Sequence, residues 1–338
     1  MSTYRAFEVT GARNFELVTR EIVAPPAGHV RLKVESCGVC HSDALAVEGM
    51  RADPSQPVVP GHEVVGVIDA VGEGVTAWRV GDRVGVGFLG GHCGECTPCR
   101  RGDFVNCTAQ QQIGTTTDGG YAEVLIARSS GLVRVPDELP PTLAAPLLCA
   151  GLTMFSALRR LDVRPGGLVA IQGIGGLGHL GLQYAARLGY RVAAIARGQE
   201  KERLALELGA SHYIDSSAQD PGAELRALGG ADAVIATAAS GTSMTPLVPG
   251  LAPHGHMVVV GASMDPISVA TPDLIFGSRA ISGLLTGSAI DNEDNLEFSS
   301  RSGVRAMIET MPLSQAPEAY AHMMSGKARF RVVLDTAA

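Results

Sequence analysis

Apolar positions along the chain follow two different rhythms. In the first part they form short, β-like runs separated by Gly and Pro: VRLKVES (30–36), EVVGVIDAV (63–71), DRVGVGF (82–88), YAEVLIA (121–127) and GLVRVP (131–136). Runs of this kind predict a mostly β, barrel-like or sandwich domain. From residue 147 onward strands and helices alternate. LVAIQG (168–173) reads as a buried strand, followed by a helix over 176–188 with Gly189 placed as its C′ residue. YRVAAIA (190–196) is a second strand, and KERLALELG (201–209) is a helix stopped by Gly209. HYID, ADAVIATAA, HMVVVGA and RAISGLL continue the strands. This alternation predicts an α/β domain with a doubly wound parallel sheet. A helix over 292–309 and a strand RFRVVLD (329–335) follow. The division expected is 1–146, 147–288 and 289–338.

Composition narrows the function classes. At 338 residues the chain suits two domains and a sizeable core without disulfide staples. Its 27 Lys and Arg against 34 Asp and Glu give a net charge of −7, and no basic block offers a footprint for nucleic acid or an anionic membrane. Two long uncharged stretches, 139–158 and 233–253, are broken by Pro140, Pro141 and Pro146 and by Pro246, Pro249 and Pro253, so neither reads as a membrane span. The first residues carry no apolar signal core, which gives the expectation of a cytoplasmic protein. Gly supplies 42 residues, so tight turns and close backbone approaches are expected.

Four of the seven cysteines cluster. Cys93, Cys96, Cys99 and Cys107 form C-x2-C-x2-C-x7-C, with Gly91, Gly94 and Pro98 to turn the backbone. Four thiolates at this spacing can close a tetrahedral zinc site, which is coordinatively complete and therefore folds a lobe without doing chemistry. Arg100 and Arg101 stand where they could offset its negative charge. An iron–sulfur cluster and four ordinary thiols are the alternative readings.

SCGVCHSD (36–43) and PGHEVVG (60–66) carry no assignment separately. Together with LLCAGLTMF (147–155), GIGGLG (173–178), the four-cysteine lobe and the closing RFRVVL, they make nearly the whole chain resemble the zinc-dependent alcohol dehydrogenases of the medium-chain dehydrogenase/reductase family. The resemblance implies a GroES-like catalytic domain to which the last fifty or so residues return, beside a Rossmann-type domain. It implies that Cys40, His62 and Cys149 hold a catalytic zinc. Two thiolates and a neutral imidazole cancel the metal's charge and leave a fourth position for water or alcohol. Asp43 corresponds to the carboxylate that orients His62, and Glu63 to the acid close behind the metal. Ser42 matches the hydroxyl that takes the alcohol proton. Where the family commonly has a histidine three positions on, this chain has Leu45, so the proton is expected to leave from the ribose side through water. Cys37 matches no ligand position and reads as a structural thiol.

GIGGLG follows a strand and opens a helix, as the dinucleotide fingerprint demands. Gly173 serves the tight turn, Gly175 the approach of the pyrophosphate, and Gly178 the close packing of helix on strand. The amides around Gly176 and Leu177 face the phosphates. His41 and Arg331 match family positions that contact the pyrophosphate. The second strand usually ends in an acid that accepts from the ribose 2′-OH of NAD. Here Ala196 stands at that place, followed by Arg197, which could hold a 2′-phosphate, with Lys201 to assist. NADP is the reading adopted, with NAD as the alternative.

Cys149 as third ligand fits the primary alcohol and aldehyde reductase branches better than those with an acid there. Met50, Phe88, Leu89 and Leu284 are expected in the substrate pocket, and Thr153 near the nicotinamide. The resemblance implies a homotetramer or homodimer, often formed through the edge strand RAISGLL. Two rival readings are a zinc-independent quinone or enoyl reductase, opposed by the three ligands, and a non-catalytic NADPH-binding protein.

Overall fold

The computed structural model describes residues 2–51 and 53–336. Along the chain the strands are β1 (Thr3–Val9), β2 (Phe15–Glu21), β3 (His29–Val39), β4 (Glu63–Val71), β5 (Arg83–Val86), β6 (Val124–Arg128), β7 (Leu132–Arg134), β8 (Leu168–Gln172), β9 (Arg191–Ala196), β10 (His212–Asp215), β11 (Ala231–Ala236), β12 (Leu251–Val259), β13 (Ala280–Gly283), β14 (Ile308–Pro312) and β15 (Arg331–Asp335). They belong to two compact units, residues 1–149 with 287–338, and residues 150–286. The expected first break at 146/147 thus falls three residues later, after Cys149.

The first unit is built on a seven-stranded sheet of order β14-β15-β3-β4-β5-β7, with β6 also paired to β3. In β3 Val30, Leu32 and Val34 are buried while Lys33 is exposed, the period-2 pattern of a strand with one face on a core. Those residues pack with Val64, Ile68, Val84 and Leu125. The antiparallel pairing of β3 with β4 sets Gly38 opposite Glu63 and Cys37 opposite Val64. The hairpin β1–β2 was not expected from the pattern. Its strands TYRAFEV and FELVTRE are half polar, and β2 buries no residue fully. Two further corrections concern the ends of runs. YAEVLIA starts its strand only at Val124. The helix expected over 292–309 is Ala289–Ser302, because Gly303 at φ +74° caps it in the left-handed conformation, and Ile308–Pro312 is a strand.

The second unit carries a six-stranded sheet of order β10-β9-β8-β11-β12-β13, parallel throughout. Relative to its first strand this is the 3-2-1-4-5-6 order of a Rossmann domain, whose direction switches between β8 and β11. All five residues of β8 are buried, as a central parallel strand requires. The helix Gly178–Arg187 follows β8, and Gly189 lies two residues past its end at φ +87°. Among the described residues no single helix is long and apolar enough to cross a membrane.

Candidate functional site

Three chain segments deliver the donors of the first site. Cys40 follows the end of β3, His62 precedes β4, and the pairing of those strands brings the two together. Cys149 ends the short 3-10 turn Ala145–Leu148. That turn is held by Asn292 Nδ2, which donates to the Leu148 carbonyl at 3.1 Å, and by Asn295 Nδ2, which donates to that of Leu147 at 2.9 Å. The Cys40 and Cys149 sulfurs lie 4.0 Å apart. The donor atoms of Cys40, His62, Glu63 and Cys149 all fall within 4.8 Å of one another. His62 Nε2 is buried and has no hydrogen-bond partner. A buried ring nitrogen left unpaired beside two thiols fits the donor set of a zinc site with an open position.

Asp43 organises this cluster. Its Oδ1 lies 2.9 Å from His62 Nδ1, which leaves Nε2 to face the sulfurs. Its Oδ2 accepts from the Cys40 N–H at 2.9 Å and from the Tyr121 hydroxyl at 3.0 Å. Burial opposes a charged imidazole, but the Asp43 carboxylate and Cys40 more than offset it and hold the metal-free His62 well above its ordinary value. The Phe88 ring stands edge-on to the His62 ring, with centroids 5.2 Å apart.

Glu63 is wholly buried, and burial pushes its carboxyl up to about 8 against the pull of Arg331. Arg331 Nη2 donates to Glu63 Oε1. Arg331, assigned by resemblance to the pyrophosphate, is only 4% exposed and engaged by this acid, the partner that a buried guanidinium needs. A Cβ on Gly38 would lie 1.9 Å from Glu63 Oε2, so only glycine leaves room for the acid there. Ser42 is half-buried in the short turn His41–Asp43, His41 is exposed, and Leu45 is half-buried. Of the expected pocket residues in this unit, Phe88 is buried, Leu89 half-buried and Met50 60% exposed.

The four-cysteine lobe also gathers its donors, with Cys93, Cys96, Cys99 and Cys107 sulfurs within 4.8 Å of one another. Backbone N–H groups aim at them: those of Cys93 and Ala109 at Cys107 Sγ, and those of Glu95 and Cys96 at Cys93 Sγ. Such donors hold the Cys93 thiol below its ordinary value and bring Cys96 down to about 6. Ser130 Oγ anchors the lobe by accepting from the His92 N–H at 3.1 Å and donating to the His92 carbonyl at 2.9 Å.

In the second unit the glycine-rich turn leaves β8 at the switch point of the sheet. Gly173 has φ +87°, which a side chain rarely adopts, and a Cβ on Gly178 would lie 1.7 Å from the Gly173 carbonyl. A Cβ on Gly175 would meet nothing within 4 Å, so the turn is open on that side. Gly176 and Leu177 complete it before the helix starts. Ala196 ends β9. Lys201 Nζ donates to the Ile174 carbonyl at 2.7 Å, which brings its ammonium onto the turn. Thr153 is buried, with its hydroxyl 3.4 Å from that of Thr286, and Leu284 is half-buried.

Sequence reasoning did not single out two groups. Tyr121 was read as part of a strand. Asp215 pairs in register with Ala196, and its Oδ1 accepts from the N–H of Gly198 at 2.8 Å and of Ser217 at 2.9 Å. Tyr213 donates to the Gly198 carbonyl at 2.5 Å, so both backbone groups of the residue after Arg197 are fixed.

Comparison with known proteins agrees with this arrangement. Residues 26–137 match the alcohol dehydrogenase GroES-like domain, and residues 176–301 match the zinc-binding dehydrogenase domain. An alcohol dehydrogenase of Penicillium expansum is 43% identical over 335 residues, 98% of each chain. Among solved structures, a cinnamyl alcohol dehydrogenase from Sorghum bicolor superposes with a TM-score of 0.89 at 34% identity, covering 100% of this chain and 98% of that one. A Helicobacter pylori enzyme described as CAD and complexed with NADP(H) gives 0.87 at 27% identity over 99% and 98%. An NAD-dependent alcohol dehydrogenase gives 0.89 at 27% over 98% and 99%.

Proposed function

This chain belongs to the zinc-binding alcohol dehydrogenases of the medium-chain dehydrogenase/reductase family and is a zinc-dependent oxidoreductase acting on alcohols with a nicotinamide cofactor; from that premise we propose that it moves a hydride between NADP(H) and primary alcohols or aldehydes. The observation that carries the reading is the convergence of Cys40, His62 and Cys149 on the buried, unpaired His62 Nε2. In this reading those three residues hold the catalytic zinc, and Cys93, Cys96, Cys99 and Cys107 hold a second one.

Zinc at the first site supplies a Lewis acid for the substrate oxygen, and the nicotinamide supplies or accepts the hydride. The protein's own groups do the rest. Asp43 fixes the tautomer and orientation of His62. Ser42 takes the proton of the alcohol, and with Leu45 offering no onward acceptor the proton passes to water on the ribose side. The buried Phe88 keeps the edge of the His62 ring dry. Arg331 keeps Glu63 neutralised beside two thiolates.

Ala196 and Arg197 support NADP, because no acid at the end of β9 repels a 2′-phosphate. The alternative, NAD, is favoured by one observation: Asp215 sets a carboxylate on the neighbouring strand, in register with Ala196. Its Oδ1 accepts from Gly198 and Ser217, and the preference for NADP rests on Ala196 and Arg197 at the end of β9 itself. The exposed side chains of Ile275 and Phe276 and the edge strand β13 support assembly into a homodimer or homotetramer.

Initial rates of aldehyde-dependent oxidation of NADPH and NADH, side by side, test the reading with benzaldehyde and a short aliphatic aldehyde. A clear NADPH preference is expected. An NADH preference would overturn the cofactor assignment, and no turnover in protein carrying both zincs would overturn the substrate class.

A further inference from the structure

Tyr121 is among the largest fully buried side chains, and a phenol in that position needs a partner for its hydroxyl. It has one, Asp43 Oδ2, 78 residues away in sequence and 3.0 Å away in space. The backbone around it is arranged to bring that ring in. Gly119 N–H donates to the Val59 carbonyl, Gly120 N–H to Gly61, and Tyr121 N–H to Pro60, so residues 119–121 run along the segment just before His62. A Cβ on Gly119 would lie 2.1 Å from the Gly61 carbonyl, and one on Gly61 would lie 2.4 Å from the Tyr121 ring. Gly61 leaves the space that the tyrosine ring fills, and Gly119 lets the two backbones run close together.

The acceptor is the carboxylate that faces His62 Nδ1 with its other oxygen and also holds the Cys40 N–H. Three donors thus fix one buried carboxylate, and two of them belong to metal-donor residues. We propose that Tyr121 is a positioning residue of the metal site, whose hydroxyl clamps Asp43 so that His62 presents Nε2 and Cys40 its sulfur in one fixed geometry. The proposal rests on the assignment of Cys40, His62 and Cys149 as zinc ligands. The phenol O–H donates to a carboxylate, a charge-assisted hydrogen bond, and removing outer partners of metal ligands costs ten- to a hundredfold in metal affinity. Tyr121 stands one step further out, so the lower end of that range applies.

The test is zinc release from the whole protein to a chromogenic chelator, in the native chain and in Tyr121→Phe. Two phases are expected in the native protein, and the one lost in Cys149→Ser belongs to the proposed catalytic set. Tyr121→Phe should speed that phase by about tenfold and leave the four-cysteine phase unchanged. In an Asp43→Asn background the same substitution should add nothing, because its route is through the carboxylate. With cobalt in place of zinc, the visible d–d bands of the site should shift in Tyr121→Phe. Native-like release, equal acceleration of both phases, or an undiminished effect in Asp43→Asn would each overturn the proposal. A native chain with no phase sensitive to Cys149→Ser would overturn the zinc assignment as well, which separates the two failures. Should Phe at 121 prevent folding, 3-fluorotyrosine placed at that position keeps the ring and strengthens the donor. Release should then slow measurably, and an unchanged rate would overturn the proposal.

Discussion

Asp215 stands in register with Ala196 across the parallel pairing of β9 and β10, and its carboxylate holds the N–H of Gly198, one residue past Arg197. A carboxylate therefore stands one strand away from the position where an NAD site carries its acid, and its Oδ1 holds backbone. It fixes the backbone that carries Arg197. Ala196→Asp should restore repulsion of a 2′-phosphate and reverse the preference toward NADH. Arg197→Ala should raise KM for NADPH by on the order of tenfold to a hundredfold, the worth of about 1.5–3 kcal/mol for a hydrogen bond to a charged group, and leave NADH kinetics unchanged. Steady-state kinetics with both nucleotides decide it, and equal loss for both would remove Arg197 from the cofactor argument.

The four-cysteine lobe predicts a structural dependence. Cys99→Ser should lower the zinc content by one per chain and reduce the melting temperature, because metal-binding free energy at a closed site is folding free energy. Metal analysis and calorimetry on the same sample check this. Native zinc content in a chain with all four cysteines replaced by serine would show that the lobe binds none.

The pH behaviour of the first site follows from His62. Its folded, metal-free value lies well above 6.5, while zinc takes the neutral ring. Binding must expel that proton together with the thiol protons of the cysteines that become thiolates, so apparent zinc affinity should rise with pH across this range. Stability of the metal-free protein runs the other way. A folded value above the unfolded 6.5 gives stabilisation that is complete below 6.5 and lost as pH rises through the folded value. Chelator competition across that range would refute the assignment if affinity stayed flat.

Gly38→Ala offers a fourth test. Its Cβ would fall 1.9 Å from Glu63 Oε2 and 3.0 Å from Glu63 Cβ, so the acid must move off Arg331. Overpacking of this kind costs about 1–3 kcal/mol, and turnover should fall with stability. An unchanged melting temperature and rate would show that Glu63 has room to relocate.

The four-cysteine lobe and the glycine-rich turn were legible because each is encoded by residues close together at a spacing tied to one chemistry. Cys40, His62 and Cys149, spread over 109 positions, were reached only through the family resemblance. The parallel sheet was legible for a related reason, since wholly apolar runs such as LVAIQ occur where both faces of a strand are covered. What stayed hidden depends on partners far along the chain. Nothing near Tyr121 announces Asp43, and nothing near Arg331 announces Glu63, 268 positions away. The hairpin β1–β2 escaped because half of its side chains face outward, leaving no apolar run. The overlong helix came from reading through Gly303, whose left-handed φ ends it.

The place of β15 has a consequence for synthesis. It lies between β14 and β3, so while the nascent chain is still short of residue 331 the Ser36–Val39 end of β3 has no partner on the side whose other end pairs with β6, and Glu63 has no guanidinium. The Rossmann unit, complete at residue 286, can close behind the ribosome as soon as it emerges, since its sheet and core draw on no later strand. The first unit must wait with that stretch of strand edge open, the condition under which chains associate wrongly. Ribosome-stalled chains ending before β15 should therefore be the ones that chaperones hold.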